Sequence, residues 1–535
     1  MEKNEAAKCA NDEAAKCTIN EAAKRIRHEG LLSKVVTPAE AAALVKQGDT
    51  IGMAGFTAVG YPKAFPLALA ARGAALADRA SAAENDEAAK SAAADRLEAA
   101  DSVAAESEAG ENLGITLITG ASVGDEIDGA LSRAGVIARR YPYQTNKDIR
   151  NHINAGEINY VDIHLSQVPT WIKQGIFGKI DFAVVEAAAI DENGNIIPTA
   201  SVGCSDTLVK VADKVIVEIS TAMPIEIEGL HDIYTCEKAP NTKPIPITKP
   251  GDRIGTTYIP CDPDKIAAII FSDIVDGNSE LQPADETMQA IAEHLIAFLE
   301  KEVEAGRLSN PLPPLQSGVG GVANAVLSCL AESDFEDLTV YTEVMQDAVL
   351  KLIDSGKVKM ASATALTISP SGKKAVFENI DKYKDKIVLR PEEISNSPEV
   401  IKRLGLVAMN TALEADLSGN VNSTHVAGKR IMNGIGGSGD FARNAGLTIF
   451  TTASTAKGGT LSCIVPEVSH VDHTEHDVDV IITEQGAADL RALTAFERAE
   501  VIIENCAHPN FREELRAALE KAKSGDPIGH GLSFR

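Results

Sequence analysis

The chain has 535 residues, of which 77 are acidic and 51 basic, so its formal net charge is −26. This length predicts two or three domains. The negative charge disfavours nucleic acid and anionic membranes as partners, although a small anionic substrate could bind in a locally positive pocket. The 4% aromatic content predicts cores built from Ala, Val, Ile and Leu.

Cysteine usage and hydropathy indicate the compartment. The eight cysteines are scattered and form no CxxC pair, which is typical of free thiols in a reducing compartment. No apolar run in the sequence approaches the ~18 residues that a membrane span requires. The N-terminus lacks the apolar core of a signal peptide. We therefore expect a cytoplasmic, soluble protein.

Composition shifts divide the chain. Residues 1–24 repeat a Glu-Ala-Ala-Lys unit, which forms helix but offers little to a core, so a solvated helical leader is predicted. The unit recurs in an acidic, Ala-rich stretch at about 84–112, predicted to be a surface insertion. The rest alternates strand-like and helix-like segments around a Pro-rich connection at 239–250. This pattern predicts two α/β domains, 25–245 and 246–535.

An acidic residue, Glu343, stands near the end of a predicted core strand. The run 338–345 is apolar and β-branched, and the segment 346–353 that follows has helical spacing. The carboxyl ends of strands form the edge at which α/β sheets bind ligands. Because an unpaired buried carboxylate is costly, Glu343 is predicted to be either a poised nucleophile or one half of a buried ion pair.

Four Gly-rich loops, at 55–62, 119–124, 316–325 and 433–441, are candidate ligand sites. Glycines let a backbone approach a ligand and expose N–H groups to anionic oxygens. Any single loop could be a tight turn, but four together favour a ligand that carries phosphate or a thioester. No loop ends in Gly-Lys-Ser/Thr, and the third has Ala323 where a dinucleotide fingerprint usually has glycine, so the sequence indicates a nucleotide site only weakly.

The segment 470–476, His-Val-Asp-His-Thr-Glu-His, contains three histidines and two acids. Any two or three of these could ligate zinc. No HExxH or paired-Cys motif supports a metal site, so a polar or solvated loop is the preferred interpretation and no metal is predicted. Glu484, which follows another apolar run, could form an acid/base pair with Glu343, or one of the two could orient the other.

Several long motifs carry a family resemblance. They are GFTAVGYPK, ITGASVG, QSGVGGVANAV, YTEVMQD, RPEEISNSPEVIKRLG, NGIGGSGDFARNA, STAKGG, SHVDHTEHD and ITEQGAADLR. From about Arg25 to Pro509 the chain resembles the acetyl-CoA hydrolase/transferase family, particularly its transferases that use succinyl-CoA. The resemblance implies two related α/β domains with the active site at their interface. It also implies a homodimer.

The resemblance further implies roles for individual residues. Glu343 would be a nucleophile that passes through an acyl-glutamyl anhydride to a glutamyl-CoA thioester. Asn396 and the N–H of Gly437 would stabilise oxyanions, and Ser122 and Glu484 would orient carboxylates or the nucleophile. The positions implied to contact CoA are Gly318, Val319, Gly320, Gly321, Val322, Asn433, Gly437 and Lys457, of which Lys457 would pair with a phosphate.

Coenzyme A is thus expected as substrate and product, with no permanently bound cofactor. Succinyl-CoA as donor and acetate as acceptor is the first expectation. A hydrolase that passes the same thioester to water, and a catalytically idle CoA-binding protein, remain alternatives, and a dehydrogenase is a weaker one. One departure from the family pattern is Gly321, where relatives commonly have Asn.

Overall fold

A computed structural model describes residues 24–94, 112–122, 124–278, 280 and 283–524, with only the backbone described for 83–94 and 122. The predicted leader at 1–24 lies outside the described residues except for Lys24. Most of the predicted insertion at 84–112 also lies outside them. Its described beginning is helical and continues the helix Ala64–Ala94.

The first of two large sheets is built mainly from residues of the N-terminal half. Its longest strand, Phe182–Ile190, is buried at every position, as expected for a parallel strand with both faces covered. Seven of its eight strands are parallel, and the eighth, Ile196–Pro198, pairs antiparallel with Phe182–Ile190. The parallel strands follow the order Ile266–Ser272, Lys214–Ser220, Phe182–Ile190, Thr50–Met53, Ile115–Ile118, Ile137–Tyr141 and Asn159–Tyr160.

The second large sheet also has eight strands and is parallel except for its last strand. Its order is Ile387–Leu389, Val358–Ala363, Leu338–Tyr341, Leu315–Ser317, Val407–Thr411, Leu447–Thr451, Val480–Thr483 and Gly486–Asp489. Smaller sheets pair Phe56–Thr57 with Ala121–Ser122, Val344–Met345 with Ala365–Leu366, Glu414–Asp416 with Val421–Asn422 and Ile464–Val465, His425–Val426 with Arg430–Ile431, and Thr455–Ala456 with Leu461–Ser462.

Helices connect the strands and cover the sheets. Many begin at the expected caps: Thr494, for example, forms a capping box with Glu497. Among the described helices, none is long and apolar enough to cross a bilayer. The α-helices are Pro38–Ala42, Ala64–Ala94, Ala130–Arg133, Lys147–Ala155, Gln167–Gln174, Ser205–Val211, Glu286–Glu304, Gly321–Glu332, Asp347–Asp354, Pro370–Phe377, Glu392–Ser395, Pro398–Leu404, Ser438–Asn444, Ala495–Asn505 and Pro509–Lys523. Short 3-10 helices span Glu29–Lys34, Ile225–Ile227, Pro263–Lys265 and Ile380–Lys382, and a π-helix spans Asp125–Gly129.

The predicted domain boundary at 245/246 does not coincide with the change of sheet. The strand Ile266–Ser272 pairs in parallel with Lys214–Ser220 and therefore belongs to the first sheet. The Pro-rich segment before it packs on the second half, where Ile245 and Ile247 join Tyr341 in an apolar cluster. Prolines here mark an extended strap and not a linker between domains. The change of sheet lies after Ser272.

The predicted fold class is confirmed: two α/β units, each built on a mainly parallel sheet. Their interiors are continuous, because one apolar cluster contains Ile118 and Val185 of the first sheet together with Val340 and Val407 of the second. The halves therefore meet over a packed interface, and the loops at the ends of the strands on both sides border the same space.

Candidate active site

Glu343 stands where the strand Leu338–Tyr341 ends, and its backbone is fixed from a neighbouring segment. The N–H groups of Thr364 and Ala365 donate to the Glu343 carbonyl at 2.8 and 2.9 Å. The Thr342 hydroxyl donates to the carbonyl of Ser317 at 3.0 Å. These bonds end the strand at a defined point and leave the Glu343 side chain, which is only partly buried, at the wall of a cavity.

A buried amide holds the Glu343 carboxylate. Asn396, which is fully buried, donates from Nδ2 to Glu343 Oε1 at 2.6 Å and to Asp440 Oδ2 at 3.1 Å. Asp440 is held in turn by Ser166, whose N–H and hydroxyl donate to it at 2.9 and 2.6 Å. Because both acceptors are carboxylates, the Asn396 amide can present only its NH₂ to them, which fixes its orientation.

The environment raises the pKa of Glu343 to about 7. Burial is the main cause, the hydrogen bond from Asn396 opposes it, and the negative charge of Asp440 adds to it. No basic side chain of the described residues is among the groups that shift the pKa of Glu343. The buried ion pair that the sequence left open for Glu343 is therefore not what the structure contains.

Gly437 packs its main chain directly against the same carboxylate. A Cβ added at Gly437 would lie 1.8 Å from Glu343 Oε1 and 2.2 Å from Asn396 Nδ2, so only glycine fits. The helix Ser438–Asn444 begins immediately after it and carries Asp440 in its first turn. One Gly-rich loop thus supplies both a backbone contact and an acidic group to the site.

The cavity beside Glu343 has a volume of about 200 Å³ and lies between the two halves. The first half contributes Phe56, Thr57, Ala121, Tyr143 and Leu165, and the second contributes Ser317, Gly318, Val319, Asn410, Asn433 and Gly437 among others. An adjoining cavity of about 350 Å³ shares Thr57, Tyr143 and Val319 with it. The two halves also contact each other here, through the hydroxyls of Thr57 and Thr367 at 2.6 Å.

The predicted CoA contacts divide into two groups. Gly318, Val319, Asn433 and Gly437 line the cavity. Gly320, Gly321 and Val322 are not part of that lining and lead into the helix Gly321–Glu332. Gln346 holds the loop, because its Nε2 donates to the Gly318 carbonyl at 3.1 Å and its Oε1 accepts from the Gly320 N–H at 3.4 Å.

Gly321 lies close to a side chain of the neighbouring helix. A Cβ at this position would lie 2.5 Å from Sδ of Met288, on the neighbouring helix Glu286–Glu304. The two helices are therefore in close contact at this point. A larger residue at this position would require the end of the Met288 side chain to move.

Glu484 and Lys457 are not among the residues that line the Glu343 cavity. Glu484 accepts from the hydroxyl of Ser454, from the Ser454 N–H at 2.8 Å and from Gln485 Nε2 at 3.1 Å. Burial raises the pKa of Glu484, but these bonds outweigh it and leave the pKa below its usual value. Lys457 is exposed, in the turn that follows Ser454. Neither carboxylate is among the groups that shift the other's pKa, and Glu484 is held by Ser454.

Ser122 lies beside the site by its backbone. It pairs with Thr57 in the two-stranded sheet whose other members, Phe56 and Ala121, line the cavity. Three further residues of the site were missed by the sequence analysis: Ser166, Asp440 and Tyr143. Tyr143 lines both cavities, and burial with the nearby charge of Glu343 raises its pKa. Of these three residues, only Asp440 could have been predicted from the sequence, because it is an acidic residue inside a Gly-rich motif.

A two-sheet α/β fold with a poised carboxylate in a cavity between its halves is typical of an enzyme. The N-terminal domain of acetyl-CoA hydrolase/transferase matches residues 83–271, and the C-terminal domain of the same family matches residues 372–519. The chain belongs to the acetyl-CoA hydrolase/transferase family, and it is an enzyme of the CoA-transferase kind.

Relatives across the family are similar over nearly the whole chain. The succinyl-CoA:acetate CoA-transferase of Clostridium kluyveri is 49% identical, covering 95% of this chain and 89% of the relative. The acetyl-CoA hydrolase of Schizosaccharomyces pombe is 44% identical, covering 94% and 92%. The propanoyl-CoA:succinate CoA transferase of Escherichia coli is 42% identical, covering 93% and 95%.

Solved structures share the fold at lower identity. RipA from Yersinia pestis has a TM-score of 0.66 at 23% identity, covering 92% of this chain and 98% of that chain. The 4-hydroxybutyrate CoA-transferase from Porphyromonas gingivalis has a TM-score of 0.60 at 22% identity, covering 92% and 99%. These likenesses agree with the two-unit α/β architecture described above.

Proposed function

We propose that the protein transfers CoA from succinyl-CoA to acetate through a thioester on Glu343. The observation that carries this proposal is the Glu343 carboxylate, which Asn396 holds at 2.6 Å in a cavity between the halves, without a basic partner in the described chain. A carboxylate with a raised pKa is a better nucleophile than one in water. The name of the Clostridium kluyveri relative supports this donor and acceptor.

The proposed cycle is ping-pong and balances without a cofactor. A Glu343 oxygen attacks the thioester carbonyl of succinyl-CoA and the CoA thiolate leaves, which gives a mixed anhydride. The thiolate then attacks the glutamyl carbonyl, so that succinate leaves and Glu343 carries CoA as a thioester. Acetate attacks this thioester, and the released thiolate attacks the acetyl carbonyl of the new anhydride. Acetyl-CoA leaves and Glu343 is again a carboxylate.

The neighbouring groups take distinct roles in this proposal. The amide of Asn396 and the N–H of Gly437 stabilise the oxyanions that form at Glu343. Ser122 lies beside the cavity and orients the small carboxylate. Glu484 acts indirectly, because it holds Ser454 at the start of the loop that carries Lys457. The CoA chain lies along Gly318, Val319 and Asn433, and its phosphates reach the exposed Lys457. Gly320, Gly321 and Val322, which do not line the cavity, support the loop that contacts CoA.

A hydrolase is the second candidate, because four of the acetyl-CoA hydrolases similar to this chain are 42–44% identical to it. Product analysis with succinyl-CoA, with and without acetate, separates the two. Transfer predicts that acetyl-CoA accumulates in step with succinyl-CoA consumption and that little free CoA appears. If free CoA is released as fast without acetate as acetyl-CoA is formed with it, the protein is a hydrolase. An idle CoA-binding protein would give neither product.

Replacing Asn396 with Ala is expected to lower kcat by ~10²–10³-fold, because one preset oxyanion donor is worth about that much. Steady-state kinetics should show kcat and kcat/KM falling together, since the interaction strengthens in the transition state. Asn241→Ala, at an exposed residue outside the cavity lining, is the control and should leave both unchanged. A variant Asn396→Ala with wild-type kcat would remove this residue from the proposed mechanism.

The pH dependence follows from the raised pKa of Glu343, which is about 7. Only the ionised form attacks, so the rate constant for free enzyme with succinyl-CoA should fall ~10-fold per pH unit below that pKa and level off above it. Asn396→Ala should move the midpoint to higher pH, because the hydrogen bond that favours the ionised form is lost. Single-turnover rates between about pH 5 and 9 test this, and a flat profile contradicts it.

We also propose that the enzyme is cytoplasmic, because the described residues include six free cysteines, as is typical of a reducing compartment. We also propose a homodimer, and that coenzyme A passes through as substrate and product with no permanently bound cofactor. Light scattering of the purified full chain tests the dimer, and a mass corresponding to a single chain would contradict it.

A further inference from the structure

A second cluster of chemically active side chains lies outside the Glu343 site. His425, His470 and Asp472 each place one ligand atom so that all three atoms lie within 4.8 Å of one another. The two imidazole rings of His425 and His470 have centroids 3.9 Å apart and are tilted by 37° to one another, and His470 Nε2 lies 3.4 Å from Asp472 Oδ1. No metal site was predicted from the segment 470–476, because the sequence does not show that His425 lies beside it.

The hydroxyl of Thr424 fixes the tautomer of His425 and holds the carboxylate of Asp472. The Thr424 hydroxyl lies 2.8 and 2.9 Å from the two oxygens of Asp472 and 2.7 Å from His425 Nδ1. A carboxylate only accepts, so the hydroxyl donates to Asp472 and accepts from Nδ1–H of His425. This tautomer leaves His425 Nε2 with a free lone pair, which is the form that binds a metal.

The acidic member of the cluster is also held rigidly. The Asp472 side chain is 4% exposed, and it accepts from the N–H groups of Ser423 and Thr424 at 2.6 and 3.0 Å. Protein metal centres orient their ligands by this kind of outer hydrogen bonding. His470 is the exposed member, at 42%, and its ring is accessible to an ion from solvent.

We propose that His425, His470 and Asp472 bind Zn²⁺ or a similar transition-metal dication, with water as a further ligand. Two imidazole nitrogens and one carboxylate oxygen form a typical zinc set with an open position, whereas Mg²⁺ and Ca²⁺ prefer oxygen ligands. Binding would draw the three atoms to ~2.0–2.2 Å from the ion, which requires the two rings to move apart.

The proposed ion ties together two segments at the wall of the Glu343 cavity. His425 follows Ser423, which lines the cavity. His473, near the other two ligands, places Nε2 3.1 Å from the hydroxyl of Ser438, the residue after Gly437. The ion would therefore stabilise the cavity wall without touching the reacting carboxylate. The proposed metal site does not depend on the proposed CoA transfer.

Metal binding by the full-length, tag-free protein tests the proposal directly. Equilibrium dialysis against Zn²⁺ should give about one bound ion per chain, and His425→Ala or His470→Ala should weaken this binding at least ~10-fold. His476→Ala removes an exposed histidine of the same segment outside the cluster and should bind as the unaltered protein does. Circular dichroism checks that each variant is folded.

Two further measurements distinguish metal binding at this site from binding by cysteine thiols and from a loss of binding caused by misfolding. Bound Co²⁺ should absorb without a thiolate-to-cobalt charge-transfer band, because no cysteine belongs to the cluster. Thr424→Val keeps all three ligands and should weaken binding ~10–100-fold by releasing His425 and Asp472. The absence of a saturable site, or binding by His470→Ala as tight as by the unaltered protein, would overturn the proposal.

Discussion

Replacing Glu343 with Gln is expected to lower CoA transfer at least ~10⁴-fold, the scale on which enzymes lose rate when a covalent nucleophile is removed. Gln keeps the size of the side chain and can still accept from Asn396, but its amide oxygen does not form the anhydride. Turnover of succinyl-CoA with acetate, followed by acetyl-CoA formation, measures the loss. Residual activity within ~10-fold of the unaltered enzyme would exclude Glu343 as the nucleophile.

Stability separates chemistry from misfolding in this variant. Because burial raises the pKa of Glu343 to about 7, ionising it in the folded protein costs free energy once the pH exceeds its usual pKa. This cost grows from the usual pKa of a glutamate up to about pH 7 and is constant above it, so Glu343→Gln should be at least as stable as the unaltered protein at pH 8. Glu484→Gln is the comparison, and it should lose less activity because Glu484 contacts Ser454 and lies outside the cavity lining.

Replacing Gly437 with Ala is expected to lower kcat at least ~10²-fold. The new Cβ would lie 1.8 Å from Glu343 Oε1, so the carboxylate or the loop must move by more than ~1 Å, and a misplacement of that size costs ~10²-fold. The backbone at Gly437 has φ −97° and ψ 0°, which alanine adopts without strain. The effect is therefore a collision at the reacting group, and steady-state kinetics should show it in kcat.

Gly318→Ala provides the contrast, because the nearest atom to its added Cβ is the Met409 carbonyl oxygen at 3.7 Å. Gly318 lines the cavity where CoA is proposed to lie, so this variant should raise the KM for acyl-CoA more than it lowers kcat. If Gly437→Ala kept its kcat, or if both variants changed only KM, the close contact between Gly437 and the carboxylate would have no part in catalysis.

Much of the architecture could be predicted from the sequence because local patterns decide it. The apolar run 338–345 begins with the strand Leu338–Tyr341 of the second sheet, as its β-branched residues predict, while Val344–Met345 after Glu343 pairs in a separate small sheet. The Gly-rich loops supply Gly318 and Gly437 to one cavity. The packing of the segment near 245 could not be predicted, because prolines indicate an irregular path without telling where that path packs, and here Ile245 and Ile247 bury against the second half.

The groups around the nucleophile were harder to predict because they come from distant segments. Ser166 reaches Asp440 across 274 residues of sequence, and only the packing of the two halves brings them together. Tyr143 enters the cavity for the same reason. His425 likewise joins His470 and Asp472 only in three dimensions. Glu484 is predicted as an active-site acid from its place at a strand end, and in the structure it accepts hydrogen bonds from Ser454 and Gln485.

The most direct test of the central claim is the intact mass of the enzyme after incubation with succinyl-CoA alone. Without an acceptor the cycle stops at the thioester, so the mass should rise by that of coenzyme A less one water. Peptide mapping should place the addition at Glu343, and Glu343→Gln should show none. A folded, active enzyme that gains no such mass, or gains it on another residue, would contradict the account.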